Sequence, residues 1–260
     1  MDRLRALLPW RPVLVCLGPL VLWQAIVSIA GTPPYLLPGP GPVLARLVDS
    51  APLLFGHALV TTTEILAGLA LGVLIGSVSA LLMLMLPPMR PWLLPVLLLG
   101  QTIPVFAIAP LLTLWLGFGM ASKIAMAALI IYFPIAAALY DGLRRIEPAW
   151  LDMARTMNGR PLAVLWHLRL PAALPVFGSG LRIAAAAAPI GAVVGEWVGA
   201  SRGLGYLMLH ANGRLQIDLV FAALLVLMII ALGLYLAVDR GLRALMPWSP
   251  DQGPLAAPST

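Results

Sequence analysis

The residues that could do covalent chemistry in this 260-residue chain do not form a catalytic set. Gly199-Ala200-Ser201-Arg202-Gly203 has the G-x-S-x-G form of a nucleophile elbow. That motif works only at a strand-to-helix turn of an α/β sheet, and here it follows a long apolar run. His57, His167 and His210 are far apart and fall on opposite sides of a membrane in the topology set out below, so neither a triad nor a zinc site is expected. Cys16 is the sole cysteine, which excludes an internal disulfide and a cysteine-based metal site. There is no G-x-x-x-x-G-K-[ST], and Lys123 is the sole lysine, so this chain cannot itself cradle ATP phosphates. The expectation is a protein that is not an enzyme and carries no cofactor or metal of its own.

The remaining polar residues suit binding and passage. Glu64, Gln101, Thr102 and Arg182 all fall inside apolar segments, and Glu196 falls in the external segment just after one. Ionisable groups at membrane depth are costly and mark pathways or buried pairs. These five are the candidate translocation residues. Plainer readings stand beside them: Glu64 as a hydrated cap near an interface, Gln101 and Thr102 as hydrogen-bonding partners of a neighbouring helix, and Arg182 snorkelling toward the interface.

The elements that must position them are apolar helices. The chain is 61% hydrophobic and 10% charged, against about 25% charged in ordinary globular chains. Only helices or closed barrels satisfy the backbone in lipid, so an all-α polytopic membrane protein is expected, with about six transmembrane helices near 13–30, 58–86, 92–116, 122–140, 172–194 and 218–238. The stripe Gly68, Gly72, Gly76 in the second helix and Gly191, Gly195 in the fifth would let helices approach closely. Pro95, Pro104 and Pro110 interrupt the third. Residues 31–56 are rich in Pro and Gly and read as an external loop with a short surface helix. A signal peptide competes for the first 30 residues, but the length of the apolar run, with Trp23 and Gln24 inside it, favours an uncleaved helix. The domain reading is 1–56 for the first helix and external loop, 57–245 for the core with a cytoplasmic loop at 144–171, and 246–260 for the tail.

Charge sets the orientation. Arg3, Arg5, Arg11, Arg90, Arg144, Arg145, Arg155, Arg160, Arg169, Arg240 and Arg243 fall on one side, and Arg46, Lys123, Arg202 and Arg214 on the other. This asymmetry places the N-terminus and the 144–171 loop in the cytoplasm. It also accounts for the net charge of +6 without nucleic acid as a partner.

Within that loop, Pro148 suits a first helical position, and Leu151, Ala154 and Met157 recur at helical spacing. Asn158-Gly159 tolerates left-handed backbone and can end the helix. Pro161 then opens a second short helix that Pro171 is expected to stop. The product is a helix-turn-helix hook. From Asp152 it reads D-M-A, three residues, Asn158, nine residues, then Leu168-x-Leu170-Pro171. This spacing resembles the EAA loop of ABC importer permeases (Glu-Ala-Ala, three residues, Gly, nine residues, Ile-x-Leu-Pro), with Asp152, Met153 and Asn158 as substitutions. An ordinary amphipathic loop is the bland alternative. Leu37-Pro38, Gln101-Thr102-Ile103-Pro104, Ala109-Pro110-Leu111-Leu112, Gly180-Leu181-Arg182 and Gly203-Leu204-Gly205-Tyr206 extend the resemblance over about residues 35 to 245, toward the nitrate/taurine/sulfonate branch.

The resemblance implies a type I ABC importer permease of a bacterial inner membrane. A second, identical permease subunit would complete the pathway, two nucleotide-binding subunits would bind ATP and magnesium, and an external solute-binding protein would deliver the solute. Asp152, Ala154, Arg155, Met157, Asn158, Gly159, Leu168, Leu170 and Pro171 would then form the ATPase-coupling loop, with Asp152 and Arg155 in polar contact and Ala154 and Met157 filling a groove. The wording of Ile103 to Leu112 and of Leu207 to His210 is most like permeases assigned to a thiamine pyrimidine precursor (hydroxymethylpyrimidine). Sulfonate, taurine or nitrate is the alternative solute, although a carboxylate at Glu64 disfavours an anion. Glu64 would accept hydrogen bonds from an aminopyrimidine. An ion-coupled secondary transporter is the rival of another class, disfavoured by the hook and by the absence of an evident inverted repeat.

Overall fold

The computed structural model describes residues 10–248, and these are helical, with no strand among them. The first helix, α1, is Trp10–Ala30, followed by α2 at Pro40–Asp49. Four stretches are long and apolar enough to cross a membrane: α3 (Ala51–Met85), α6 (Met120–Arg144), the continuous run Pro161–Gly199 and α11 (Ile217–Leu245). The pair α4 (Arg90–Gly100) and α5 (Val105–Leu116) supplies a fifth span bent by 111°. Six spans are expected from the sequence; by length and composition the described residues hold four, or five if the bent pair is counted as one, and the apolar stretch Leu17–Ala30 of α1 is shorter. Arg3, Arg5 and the tail from 249 to 260 lie outside the described residues.

The centre of the molecule is α3, α6 and the long helix α9 (Leu170–Gly199), with α6 between the other two. Lipid tails are as apolar as leucine, so such helices associate by close packing rather than by excluding water. The glycine stripes provide it. A Cβ at Gly72 would lie 2.7 Å from the Ile131 side chain, and one at Gly76 would lie 2.8 Å from Ile135 Cγ2. From α9, a Cβ at Gly191 would lie 2.6 Å from Ala127 Cα, and one at Gly195 3.1 Å from Lys123 Cα, on the same row of α6 spaced by four. Ile65, Ile131, Ile135, Ala184 and Ala188 fill the middle of this core.

Prolines account for the differences from expectation. The expected short surface helix is α2, and Pro40 stands in its first turn, where a missing N–H costs nothing. Pro52 likewise opens α3, which starts at Ala51 rather than near residue 58. Pro95 and Pro110 stay inside α4 and α5, whereas the break falls at 101–104, with Pro104 extended ahead of α5. Pro171 does not stop the hook's second helix. The short helix α8 (Pro161–Val164) passes through a π-helical turn, Leu165–Arg169, straight into α9. The wider turn relieves the contact between a proline ring and the carbonyl one turn back. Finally, α9 continues to Gly199, so Glu196 is helical and not part of an external segment.

Substituting Gly72→Val should strain the α3–α6 contact by about 1–3 kcal/mol and lower the thermal unfolding midpoint of the detergent-purified protein. Gly233→Ala, where a new Cβ meets nothing within 4 Å, should leave that midpoint unchanged or raise it.

Candidate functional site

The polar residues fall into two groups, at opposite ends of α9. At its start is the hook. The helix α7 (Pro148–Thr156) carries Pro148 in its first turn and closes through Met157 N–H to Met153 O at 3.1 Å and Gly159 N–H to Ala154 O at 2.8 Å. The left-handed residue of this closure is Asn158, with φ +54°, and not Gly159. Asn is among the few side chains that adopt this region readily. Gly159 is needed for a different reason: a Cβ there would meet Ala154 O at 3.0 Å and Val164 Cγ2 at 3.3 Å.

The hook presents a mixed surface. Asp152 Oδ1 accepts from Arg155 Nη1 at 2.8 Å, and both side chains are exposed. Trp150, Met153 and Met157 also point outward, Met157 with 74% exposure. Ala154 is only 8% exposed and supports the turn from inside, so it is not part of that outward face. Arg169 Nη1 donates to Leu143 O at 3.4 Å, fastening the hook's base to α6. A cavity of about 350 Å³ lies under the hook, lined by Leu84, Leu151, Ala154, Gly159, Val164 and Arg169. Leu168, Leu170 and Pro171 are half-buried where α9 begins.

At the other end, Glu64 and Glu196 come together, each 1% exposed. Their carboxyl groups are within hydrogen-bonding reach of each other. Glu196 Oε1 accepts from Thr61 Oγ1 at 2.6 Å, and Oε2 accepts from the amides of Gly205 and Tyr206. Those amides open α10 (Leu204–Gly213). Thr61 Oγ1 in turn accepts from Leu204 N–H at 2.8 Å, and His57 Nδ1 accepts from Gly203 N–H at 3.0 Å. Lys123, 5% exposed, donates to the carbonyls of Phe118 and Gly119 at 3.0 and 2.9 Å. Buried polar groups persist when partnered, and this network supplies partners for Glu196, Thr61 and Lys123, whereas Glu64 Oε2 is buried without a hydrogen-bond partner.

The other predicted pathway residues are elsewhere. Gln101 and Thr102 are exposed at the α4–α5 bend and bond back to Leu97 O and Leu99 O of their own helix, not to a neighbour. Arg182 is tied to a neighbouring helix rather than snorkelling: its Nε donates to Asp239 Oδ1 at 2.7 Å, and Arg243 Nε binds Asp239 Oδ2 at 2.9 Å. The five residues therefore do not form one site, and Glu64 and Glu196 face no open surface of this chain. The histidines also differ from expectation. His57 and His210 share one end, with the Tyr206 ring between them at centroid distances of 6.0 and 4.0 Å, while His167 belongs to the hook. No group able to hold a metal occurs among the described residues.

Several members of these networks were missed from the sequence. His57, Thr61 and Glu64 follow one another at i, i+4 and i+7, a spacing that puts them on one helix face. Lys123 stood out only as the sole lysine, and Asp239 lies one residue past the expected end of its helix.

Residues 72–248 match the family described as binding-protein-dependent transport system inner membrane component. A probable ABC transporter permease protein of Haemophilus influenzae is 56% identical over 88% of this chain and 94% of its own length. The formylaminopyrimidine transport permease protein ThiX of Halalkalibacterium halodurans is 36% identical over 93% of this chain and 96% of its own. Among solved structures, an inward-facing conformation of the MetNI methionine ABC transporter superposes with a TM-score of 0.65 at 20% identity, covering 76% of this chain and 98% of that one, which is a likeness of fold. Hook, span pattern and family match agree: this chain belongs to the binding-protein-dependent transport system inner membrane components, as the permease subunit of an ABC importer.

Proposed function

We propose that this permease works as one half of a homodimer, with a separate ATPase docked on each hook in the cytoplasm and a solute-binding protein on the opposite side. The observation that carries the reading is the hook itself. It combines an exposed Asp152–Arg155 pair with outward Trp150, Met153 and Met157 on a short helix held by a left-handed turn. Such a face is left exposed by the described residues and suits a groove with apolar floor and polar rim. The arginine asymmetry supports a cytoplasmic N-terminus and hook. ATP closes the ATPase pair, the hooks move together, and access to the pathway alternates. Hydrolysis belongs to the partner subunit.

The pathway runs between the two copies. Gln101 and Thr102 at the exposed bend of α4 and α5 are its best-placed polar residues, because the bend frees backbone groups that lipid would not tolerate. For the solute, the reading is a thiamine pyrimidine precursor. Its support is the wording around Ile103 to Leu112 and the similarity to the Halalkalibacterium formylaminopyrimidine permease. Glu64 lends none, since it is enclosed with Glu196.

Three outcomes follow. Tagged protein pulled from its native membrane should bring down a P-loop ATPase, and replacing residues 152–159 should abolish that; recovery of the intact permease without an ATPase in mild detergent would remove the reading. Gly159→Val should cut ATP-driven uptake by about tenfold, the factor set by about 1.4 kcal/mol in a barrier, while Asn158→Gly should keep it; equal uptake in the two variants would contradict the assigned turn geometry. Deleting the chain should abolish uptake of labelled hydroxymethylpyrimidine. Loss of taurine uptake with pyrimidine uptake intact would shift the solute to the sulfonate class.

A further inference from the structure

The N-terminus of α10 is held in an unusual manner. A helix leaves its first four N–H groups without intrahelical acceptors. Here they are those of Gly203, Leu204, Gly205 and Tyr206, and the first intrahelical bond runs from Leu207 N–H to Gly203 O at 2.9 Å. All four are taken by side chains of the spanning helices: His57 and Thr61 of α3 for the first two, and Glu196 of α9 for the last two. The donors belong to one element and the acceptors to two others. Gly203, at φ +119°, is required twice over, because its backbone is left-handed and a Cβ there would run into the Glu196 carboxyl. At Gly205 a Cβ would lie 2.9 Å from Glu196 Oε2.

An exposed Ser or Asp would cap this helix without burying a carboxylate. Burying Glu196 beside Glu64 costs desolvation that such a cap avoids, so its return is in position rather than stability. Glu196 also lies near one end of a helix whose other end grows out of the hook. The 30 residues of α9 span roughly 45 Å at 1.5 Å per residue.

We propose that His57, Thr61 and Glu196 are positioning residues of a latch that makes α10 move as one body with α3 and α9. A partner seated on α10 is then felt at the hook. The proposal rests on the importer reading, in which that partner is the binding protein.

The test uses the whole assembly in proteoliposomes, with the solute-loaded binding protein that co-purifies with it. ATP hydrolysis is measured with and without that protein, and hydrogen exchange is followed at residues 203–206. Thr61→Val should speed exchange at these amides roughly tenfold and remove most of the stimulation by the binding protein, while basal hydrolysis persists. Thr61→Ser, which keeps the hydroxyl, should restore both protection and stimulation. Glu196→Gln, as an independent variant, should also lose stimulation. Full stimulation in Thr61→Val or Glu196→Gln, or unchanged protection in both, overturns the latch while leaving the importer reading intact. A wild-type assembly that the binding protein does not stimulate overturns the importer reading and the latch together.

Discussion

The contact on which the rest of this structure depends is the close approach of α3 and α9 to α6. In lipid no hydrophobic drive pulls helices together, and the gain comes from atoms in contact over a long seam. Gly68, Gly72 and Gly76 of α3 and Gly191 and Gly195 of α9 bring the backbone of α6 and its Ala127, Ile131 and Ile135 side chains within van der Waals range. Any side chain at these positions would force the seam apart. The hook inherits its place from this seam, because its base continues into α9 and is tied by Arg169 to the end of α6.

The same seam explains how charges survive inside. Glu64 and Glu196 reach each other only because their helices are pressed against a common neighbour, and Lys123 lies on that neighbour directly opposite Gly195. Glu196 is then met by a hydroxyl and by amides that need acceptors, which offsets part of the cost of removing it from water, whereas Glu64 Oε2 has no hydrogen-bond partner. Toward the hook, Arg182 and Asp239 do the corresponding work between α9 and α11. The molecule is thus cross-tied by polar contacts near both ends and packed by small residues in between.

Much of this was legible in the sequence, and the limits have physical causes. Spacing at every fourth residue revealed the glycine stripes, and the interval from Asp152 to Pro171 revealed the hook, because both are local and periodic. Polarity at depth singled out Glu64 and Arg182, but not their partners, and it placed Glu196 beyond the helix that carries it. Thr61 and Glu196 are 135 residues apart, and a pairing of that range follows from helix packing rather than from any local pattern. Prolines misled most often: Pro52 opens a helix, Pro171 is absorbed by a π-helical turn, and only at Pro104 does the chain bend sharply. At Asn158-Gly159 the residue types marked the turn, but not the division of labour within it: Asn158 takes the left-handed backbone, and Gly159 gives the close approach.

Under the proposed latch, hook, three-helix seam and α10 move as one rigid carrier, joined to moving partners at either end. The most direct measurement is the distance between spin labels at Met157 and Leu209 of the same chain, recorded in the assembled transporter with and without trapped ATP. A single unchanged distance within each chain, while the distance between the two hooks of the dimer shortens, is the result expected of a rigid body. A distance within the chain that shifts or broadens with nucleotide would show that the seam flexes and would contradict the account.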